Sequence, residues 1–323
     1  MQPVKQYVLT LTFGMVTRLS HEAIESMLAL AGITGLESIT PMEGGWDNSN
    51  TRLDLSDGSR LVLKIWNAQR DMSGVQAVID RQLHVQQHGI PTSVPLQLAD
   101  GGRYAVREGV AWTLLPYVEG GHLGSDRGAL ESLGETMAKM HEIPLADCFP
   151  RDYRMGWRLF EQMYQTAGPE AQWPEFLARL RSEAGQLRGR IPDDLPEGVL
   201  HGDLFPDNVL GKGEVSAIID FEEAWIGPRA FDLVMAFVGF GWQDKVASRE
   251  RWIALLAGYE SVRPLTVPER KALPALHRYA TLSIAAWRYW KHVMSDPDVA
   301  LGERYFEMLD RLDVPFDFSE VSQ

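Results

Sequence analysis

An aspartate and an asparagine five positions apart, Asp203 and Asn208, carry the clearest chemical signal in the sequence. The same spacing occurs in the protein-kinase catalytic loop, where the carboxylate orients the hydroxyl nucleophile and the amide oxygen coordinates Mg²⁺. Asp220 follows the apolar run Val215 to Ile219, an expected strand that would bring a second metal ligand beside Asn208. Each residue alone could be a turn or ion-pair residue, but in this order they predict phosphoryl transfer from ATP with Mg²⁺.

His201 precedes Asp203 by two residues and is a competing candidate for the general base, because the ordinary pKa of histidine is near neutrality. A loose phosphoryl-transfer transition state needs little early proton abstraction, so a carboxylate that orients the hydroxyl is sufficient. We therefore assign the catalytic role to Asp203 and expect His201 to brace the loop.

A lysine on a predicted strand is the candidate for binding the nucleotide phosphates. Strand alternation places Lys64 opposite the apolar row that contains Leu63 and Ile65, so its ammonium is directed away from the core. An ordinary solvent-facing lysine is the alternative, and the acidic residues downstream favour phosphate binding. Asp80 is the only acid between Ser73 and His88, so it is the candidate partner of Lys64.

Two further segments complete the predicted nucleotide site. Gly45, Ser49 and Asn50 belong to a glycine-rich polar segment whose backbone amides could cover phosphates. This segment is neither a Walker loop nor Gly-x-Gly-x-x-Gly, so a surface turn is the alternative. Leu115 and Tyr117 lie in a segment with the form of a connector between lobes, whose backbone groups could hydrogen-bond adenine.

The elements that must position these residues change in type along the chain. Residues 51–66 predict a hairpin with a turn at Asp57-Gly58, and residues 73–88 predict a helix. A second hairpin is expected from Leu96 to Val106, beside a strand over residues 110–115. After Pro116 the spacing of apolar residues is mainly helical. This order predicts an α+β fold with lobes at residues 1–116 and 117–323 and a ligand cleft at their junction.

Composition limits the possible partners and compartment. The 323 residues carry a net charge of −13, which argues against nucleic acid or an anionic membrane as the main partner. Cys148 is the single cysteine, so an intrachain disulfide is excluded and a reducing cytoplasm is expected. Apolar runs are shorter than the roughly 18 residues that a membrane-spanning helix requires.

The segments around Asp203 and Asp220 resemble the aminoglycoside phosphotransferase and choline kinase superfamily, which carries His-Gly-Asp-x-x-x-x-Asn followed by Ile-Asp-Phe. The resemblance spans almost the whole chain. Residues 200–209, 215–221 and 258–274 are most similar to type II homoserine kinases. Chains of that family usually begin near a Thr-x-Leu-Ser-like segment, so an extension is expected before residue 15.

This resemblance implies a protein-kinase-like fold of two lobes, a small antiparallel-sheet N-lobe and a larger, mainly helical C-lobe. It implies that Asp203 is the catalytic aspartate, that Asn208 and Asp220 bind Mg²⁺, and that Lys64 binds the nucleotide. The acceptor would be the hydroxyl of a small amino-containing metabolite, and homoserine is the leading candidate. Choline, ethanolamine or an aminoglycoside is the alternative, because residues 220–232 resemble choline kinases at least as well.

Charged residues near the motif are candidates for binding the acceptor. Glu222 and Glu223 would suit an ammonium group, and a loop held by a salt bridge with Arg229 is the alternative. Arg263 could bind a substrate carboxylate through two hydrogen bonds, whereas Arg288, among aromatic residues, is expected to pack.

Two other classes of protein remain as alternatives. A bacterial stress-response protein kinase shares this fold, but Gly227-Pro228 and a predicted helix follow Asp220 too soon for an activation-loop-like insertion. A pseudokinase that only binds nucleotide is disfavoured because the catalytic and metal-binding residues are intact.

Overall fold

A computed structural model describes residues 7–8, 18–42 and 47–319 of the chain. These residues divide between Glu119 and Gly120 into two units. Gly45 and, apart from residues 7–8, the predicted extension before residue 15 lie outside the described residues. Within the described ranges, no helix is long and apolar enough to cross a membrane.

The first unit contains two helices and seven strands among its described residues. These elements are β1 (Tyr7–Val8), β2 (Arg18–Leu19), α1 (His21–Leu30), β3 (Leu36–Pro41), β4 (Ser49–Leu55), β5 (Arg60–Ile65), α2 (Met72–Gln87), β6 (Ala105–Arg107) and β7 (Val110–Pro116). Five of the strands form an antiparallel sheet with the order β3-β4-β5-β7-β6. A separate two-stranded ribbon pairs β1 with β2.

The predicted first hairpin and the helix after it are confirmed. Strands β4 and β5 pair antiparallel with Leu53 opposite Leu61, and their odd-numbered leucine and isoleucine side chains are buried in one core. Helix α2 begins where the Asp71 side chain accepts a hydrogen bond from the Gly74 N–H (2.7 Å), an N-cap that satisfies a free donor of the first turn.

The predicted hairpin from Leu96 to Val106 is wrong. Residues 96–104 form a loop, closed by a hydrogen bond from the Leu98 N–H to the Gly102 carbonyl (2.8 Å). The hairpin instead joins β6 to β7 through Glu108 and Gly109, both of which have positive φ. A two-residue turn with two positive φ angles matches the twist of paired strands, so this turn sets the register.

The second unit is mainly helical. Its helices are α3 (Arg127–His141), α4 (Trp157–Ala167), α5 (Glu175–Leu187), α6 (Ala230–Phe240), α7 (Arg249–Val262), α8 (Val267–Tyr289) and α9 (Tyr305–Asp313). Short 3₁₀ turns occupy Glu170–Gln172, Pro206–Asn208 and Phe221–Glu223, and a π-helical turn, Trp290–Ser295, extends α8.

Short strands in the second unit flank the loops that contain the predicted motifs. These strands are β8 (Gly121–His122), β9 (Glu197–Leu200), β10 (Val209–Gly211), β11 (Val215–Ile218), β12 (Trp225–Pro228), β13 (Trp242–Gln243) and β14 (Val246–Ala247). Strand β9 pairs with β12, and β10 pairs with β11. Because β9 pairs with β12, the two ends of the connecting segment, residues 201–224, lie close together. The two predicted motifs, around Asp203 and Asp220, lie within this segment.

Candidate active site

The loop after β9 is closed by its own asparagine. The Asn208 Nδ2 atom donates hydrogen bonds to the backbone carbonyl of Asp203 (2.8 Å) and to its Oδ2 atom (3.0 Å). Because the amide nitrogen makes both contacts, the amide oxygen is the side-chain atom of Asn208 that is left to bind a metal ion. An amide oxygen beside carboxylates is a suitable donor for Mg²⁺.

A buried carboxylate from α6 fixes the start of the loop. Asp232 is fully buried and accepts hydrogen bonds from the backbone N–H groups of His201 (2.6 Å) and Gly202 (2.9 Å). The His141 ring of α3 also approaches it, at 3.4 Å, and contacts the Tyr259 hydroxyl through its other nitrogen (2.9 Å). This role of Asp232 was not predicted from the sequence, although a lone acid in the otherwise apolar α6 is a usable signal.

The His201 ring is engaged on both sides by the main chain. Its Nε2 atom lies 2.9 Å from the Ile219 carbonyl, and its Nδ1 atom lies 3.2 Å from the Asp203 amide. A neutral ring that donates from Nε2 and accepts at Nδ1 satisfies both contacts. Burial also lowers the pKa of His201, which keeps the ring neutral. This geometry suits bracing of the loop.

Gly202 is required by both backbone conformation and space. Its φ is +81°, in the left-handed region, and a Cβ atom built on it would lie 2.6 Å from the Glu223 carbonyl oxygen. The Tyr153 hydroxyl donates to the Gly202 carbonyl (2.7 Å), so the glycine is held from both sides.

Asp220 comes two residues after β11 and beside Asn208. The Ile219 N–H donates to the Asn208 carbonyl (2.9 Å), which places the two motif segments in register. Asp220 itself adopts φ +67° and ψ +68°, a left-handed conformation that costs an aspartate about 1–2 kcal/mol. Left-handed backbone at a non-glycine residue is often retained where a side chain must be aimed at a functional site.

Negative charge accumulates at the loop. Burial, followed by the charges of Asp207 and Asp220, raises the pKa of Asp203 to about 7, against the opposing effects of the Asn208 hydrogen bond and the Arg288 charge. The structure therefore brings together Asp203, Asn208 and Asp220, as the sequence predicts. A divalent cation would relieve the repulsion between these carboxylates, so the donor set fits Mg²⁺.

The donor set is small. Among the described residues, no group of three or more histidine, cysteine, aspartate or glutamate side chains is arranged to hold a metal ion. One amide oxygen and one carboxylate are nevertheless the usual protein contribution where nucleotide phosphates and water complete the Mg²⁺ shell.

Three of the predicted nucleotide residues lie in the first unit on neighbouring strand positions. Asn50 is directly opposite Lys64 across the β4–β5 pair, and Ser49 precedes it. The Lys64 Nζ atom lies 4.3 Å from the centre of the Trp66 ring. Asp80, the candidate partner of Lys64, accepts a hydrogen bond from Gln76 of its own helix (2.8 Å).

The predicted adenine-binding segment forms the end of β7. Leu115 pairs with Val62 of β5 and is half-buried. The Tyr117 N–H donates to the Arg60 carbonyl (3.1 Å), and the Arg60 guanidinium lies 4.9 Å from the centre of the Tyr117 ring.

The proposed salt bridge between Arg229 and the Glu222-Glu223 pair is wrong. Arg229 forms an ion pair with Glu142 of α3 and donates to the Glu197 carbonyl (2.7 Å). Glu223 is buried and is bound by two nitrogens of Arg154, whose Nε atom lies 2.9 Å away. The charge of Glu223 is thereby balanced by Arg154. Glu222 is also buried and stays a candidate for binding an ammonium group.

The two arginines considered for a substrate carboxylate have different surroundings. Arg263 forms two contacts with the fully buried Glu269 (2.9 and 3.0 Å), so a substrate carboxylate would have to displace that residue. Arg288 is buried, as expected for a packed residue, and its Nη1 atom donates to the Arg304 carbonyl (3.0 Å) and to Glu307 (2.7 Å). Of the two, only Arg288 is among the charges that act on Asp203.

Comparison with known proteins places this geometry in a family. Residues 38–265 match the phosphotransferase enzyme family. The chain is 28% identical to a homoserine kinase of Rhizobium meliloti, with 88% of each chain covered. It is 30% identical to a homoserine kinase of Hyphomonas neptunium, covering 81% of this chain and 84% of the relative. An amicoumacin kinase in complex with AMP-PNP and Ca²⁺ has a similar fold, with a TM-score of 0.70 at 16% identity over 92% and 96% of the two chains.

The chain belongs to the phosphotransferase enzyme family. Its fold is protein-kinase-like, with a small antiparallel sheet in the first unit and a mainly helical second unit. Within that class it is an ATP-dependent kinase that phosphorylates an alcohol group of a small molecule, and the homoserine kinases are among the proteins it is most similar to.

Proposed function

We propose that the protein transfers the γ-phosphoryl group of ATP to the hydroxyl of a small amino acid, and that homoserine is the leading candidate for this acceptor. The observation that carries this proposal is the catalytic loop, in which Asn208 is hydrogen-bonded to Asp203 and lies in register with the segment that ends at Asp220. Such an arrangement suits phosphoryl transfer, because that reaction depends mainly on positioning and on stabilising charge.

Each residue of the loop has a distinct part in this proposal. Asp203 accepts a hydrogen bond from the acceptor hydroxyl and orients its oxygen towards the γ-phosphorus atom. Asn208 and Asp220 hold Mg²⁺, which neutralises charge on the nucleotide phosphates. His201 and Asp232 keep the loop in place through the main-chain contacts described above.

The first unit is proposed to bind the nucleotide. Lys64 contacts the phosphates, and Ser49, Asn50 and the predicted Gly45 segment cover them. Leu115 and Tyr117 supply backbone groups for adenine. In this proposal residues 1–116 form the nucleotide-binding lobe and residues 117–323 the catalytic and acceptor-binding lobe, and the protein acts in the cytoplasm.

The acceptor is proposed to carry both an amine and a carboxylate. Glu222 is a buried acid two residues after the proposed metal ligand Asp220, which suits an ammonium group. Both candidate arginines are already paired, Arg263 with Glu269 and Arg288 with Glu307. The charge of Arg288 also acts on Asp203, so Arg288 is the better placed of the two for a carboxylate. The names of the curated relatives favour the same acceptor.

This assignment of the acceptor is tested with a panel of related compounds. The rate of ADP release by the full chain is measured with Mg-ATP and each compound in turn. Homoserine is compared with 3-amino-1-propanol, which lacks its carboxylate, with 4-hydroxybutanoate, which lacks its amine, and with choline. We expect kcat/KM for homoserine to exceed that for each truncated compound by about 100-fold or more, because unpaired buried charges in the site penalise the incomplete acceptors.

Other results would change the assigned acceptor or the assigned class of protein. Faster turnover of choline or 3-amino-1-propanol than of homoserine would assign an amino alcohol instead. Stimulation by a generic protein substrate alone would make the chain a protein kinase. Binding of Mg-ATP without turnover of any acceptor would support the pseudokinase alternative.

A further inference from the structure

A cavity lies in the helical unit among α5, α8, the end of α9 and the segment that follows α9. Its volume is about 390 Å³, within the range of small-molecule sites. Part of its wall is apolar and comes from the ends of α5 and α9 and from the segment after α9, namely Leu187, Leu312, Val314, Pro315, Phe316 and Phe318. Such a wall suits the apolar body of a ligand.

The charged side chains that line this cavity are all basic, although the chain as a whole carries a net charge of −13. Arg278 is held by Glu183 (2.7 Å) and Arg311 by Glu307, so these two arginines are already paired. Arg190 and Lys271 are exposed at the cavity, and within the described part of the chain neither forms an ion pair. Two cations without an acidic partner at one cavity favour an anionic ligand.

A buried polar atom also lines the cavity and lacks a partner. The side chain of His277 is 8% exposed, and its Nε2 atom has no hydrogen-bond partner among the described residues. The ring packs against Phe318, with ring centres 5.2 Å apart. An unsatisfied buried nitrogen is energetically unfavourable, so a hydrogen-bonding ligand in this cavity would recover part of that cost.

We propose that this cavity binds a small organic anion with an apolar body, such as an aromatic carboxylate or phosphate. The anionic group contacts Arg190 and Lys271, the apolar body packs against Phe316 and Phe318, and a polar group of the ligand hydrogen-bonds His277. The combination of unpaired cations, an apolar wall and an unsatisfied nitrogen distinguishes this cavity from the catalytic loop, with which it shares no residue.

Ligand-observed NMR on the full chain tests the proposal with phenylacetate and phenyl phosphate, and with benzyl alcohol as the neutral probe of similar shape. Saturating Mg-ADP is present so that the probes do not report on the nucleotide site. We expect at least one anion to bind and benzyl alcohol to bind at least about tenfold more weakly, because the alcohol lacks the charge-assisted hydrogen bonds to Arg190 and Lys271. The two anions show whether a carboxylate or a phosphate is preferred.

Two double variants test whether the anion binds in this cavity. We expect Arg190→Ala with Lys271→Ala to raise Kd for the preferred anion about tenfold or more. The matched double change Arg127→Ala with Lys139→Ala removes an exposed arginine and lysine from α3, away from the cavity, and is expected to leave Kd within about twofold. Unchanged affinity in the first variant, equal binding of benzyl alcohol, or no binding of either anion at millimolar concentration would each overturn the proposal.

Discussion

The amide group of Asn208 connects the catalytic carboxylate to the proposed metal site. Its nitrogen is hydrogen-bonded twice to Asp203, so its oxygen has a fixed direction, and rotation of the amide would break both contacts. Burial and two neighbouring acids raise the pKa of Asp203 to about 7, so a cation at Asn208 and Asp220 would also favour the ionised form of Asp203.

Replacing Asp203 with asparagine tests its role as the residue that orients the hydroxyl. The Asp203→Asn variant keeps the size of the side chain but loses the negative charge, and we expect kcat to fall on the order of 100- to 10,000-fold. Binding of Mg-ATP, measured by calorimetry, should change much less. The exposed Asp193→Asn variant carries the same change outside the site and should retain parental kcat. Turnover of Asp203→Asn within a few-fold of the parent would contradict the assignment.

At the scale of elements, the catalytic loop is held by contacts with three other parts of the second unit. Asp232 of α6 binds its first two amides, Tyr153 binds the Gly202 carbonyl, and the 3₁₀ turn at Phe221–Glu223 lies against Gly202. Because these contacts leave no space at Gly202, a single methyl group there would displace the loop from the turn that carries the acidic residues.

Two glycines with similar backbone angles separate this steric effect from backbone strain. Gly202 and Gly213 have φ of +81° and +78°, but a Cβ atom would meet the Glu223 carbonyl at the first position and nothing within 4 Å at the second. We expect Gly213→Ala to cost about 1 kcal/mol of unfolding free energy. We expect Gly202→Ala to cost at least about 2 kcal/mol more, because overpacking adds to the strain, and to reduce kcat.

Urea denaturation of both variants, together with steady-state rates, provides the measurement. Equal losses of stability with unchanged kcat in Gly202→Ala would show that the contact between Gly202 and Glu223 does not position the loop.

Local sequence patterns predict part of the candidate site. The spacing of Asp203 and Asn208 marks the loop, and strand alternation predicts the β4–β5 pair that carries Lys64. The contacts that were not predicted join distant residues, since Asp232 is 31 positions from His201, and Arg154 is 69 from Glu223. Such pairs depend on tertiary packing, and only the isolated acid in an apolar helix gave a local hint. The hairpin error had a local cause, because the turn at Glu108 and Gly109 was overlooked.

Over the whole molecule, buried histidines make stability sensitive to acid. Burial lowers the pKa of His141, His201 and His277, and for His277 the nearby Arg311 and Arg278 add to the effect and give a value of about 3. The unfolded chain takes up protons near pH 6.5, whereas the folded chain does not, so stability is lost as the pH falls below that value. Asp203, with its raised pKa, acts in the opposite direction between about pH 4 and 7.

A comparison of His277→Leu with the parent isolates one of these contributions, because the effects of Asp203 and the other histidines cancel. Between pH 7 and 4.5 we expect the parent to lose about 2–3 kcal/mol more unfolding free energy than the variant. Urea denaturation at the two pH values measures this difference. The exposed His21→Leu variant is the control and should follow the parent. Equal losses in parent and His277→Leu would mean that His277 is not held neutral in the folded chain.

Glu307 gives α9 a part in the charge balance of the catalytic loop. This residue of α9 binds both Arg288 and Arg311, and Arg288 is the cation whose charge acts on Asp203. The ribosome makes Asp203 about a hundred residues before Glu307, so the nascent chain holds its catalytic aspartate long before the residue that fixes Arg288. The loop therefore reaches its final charge balance only after α9 has been made and has docked, which delays full activity until that point.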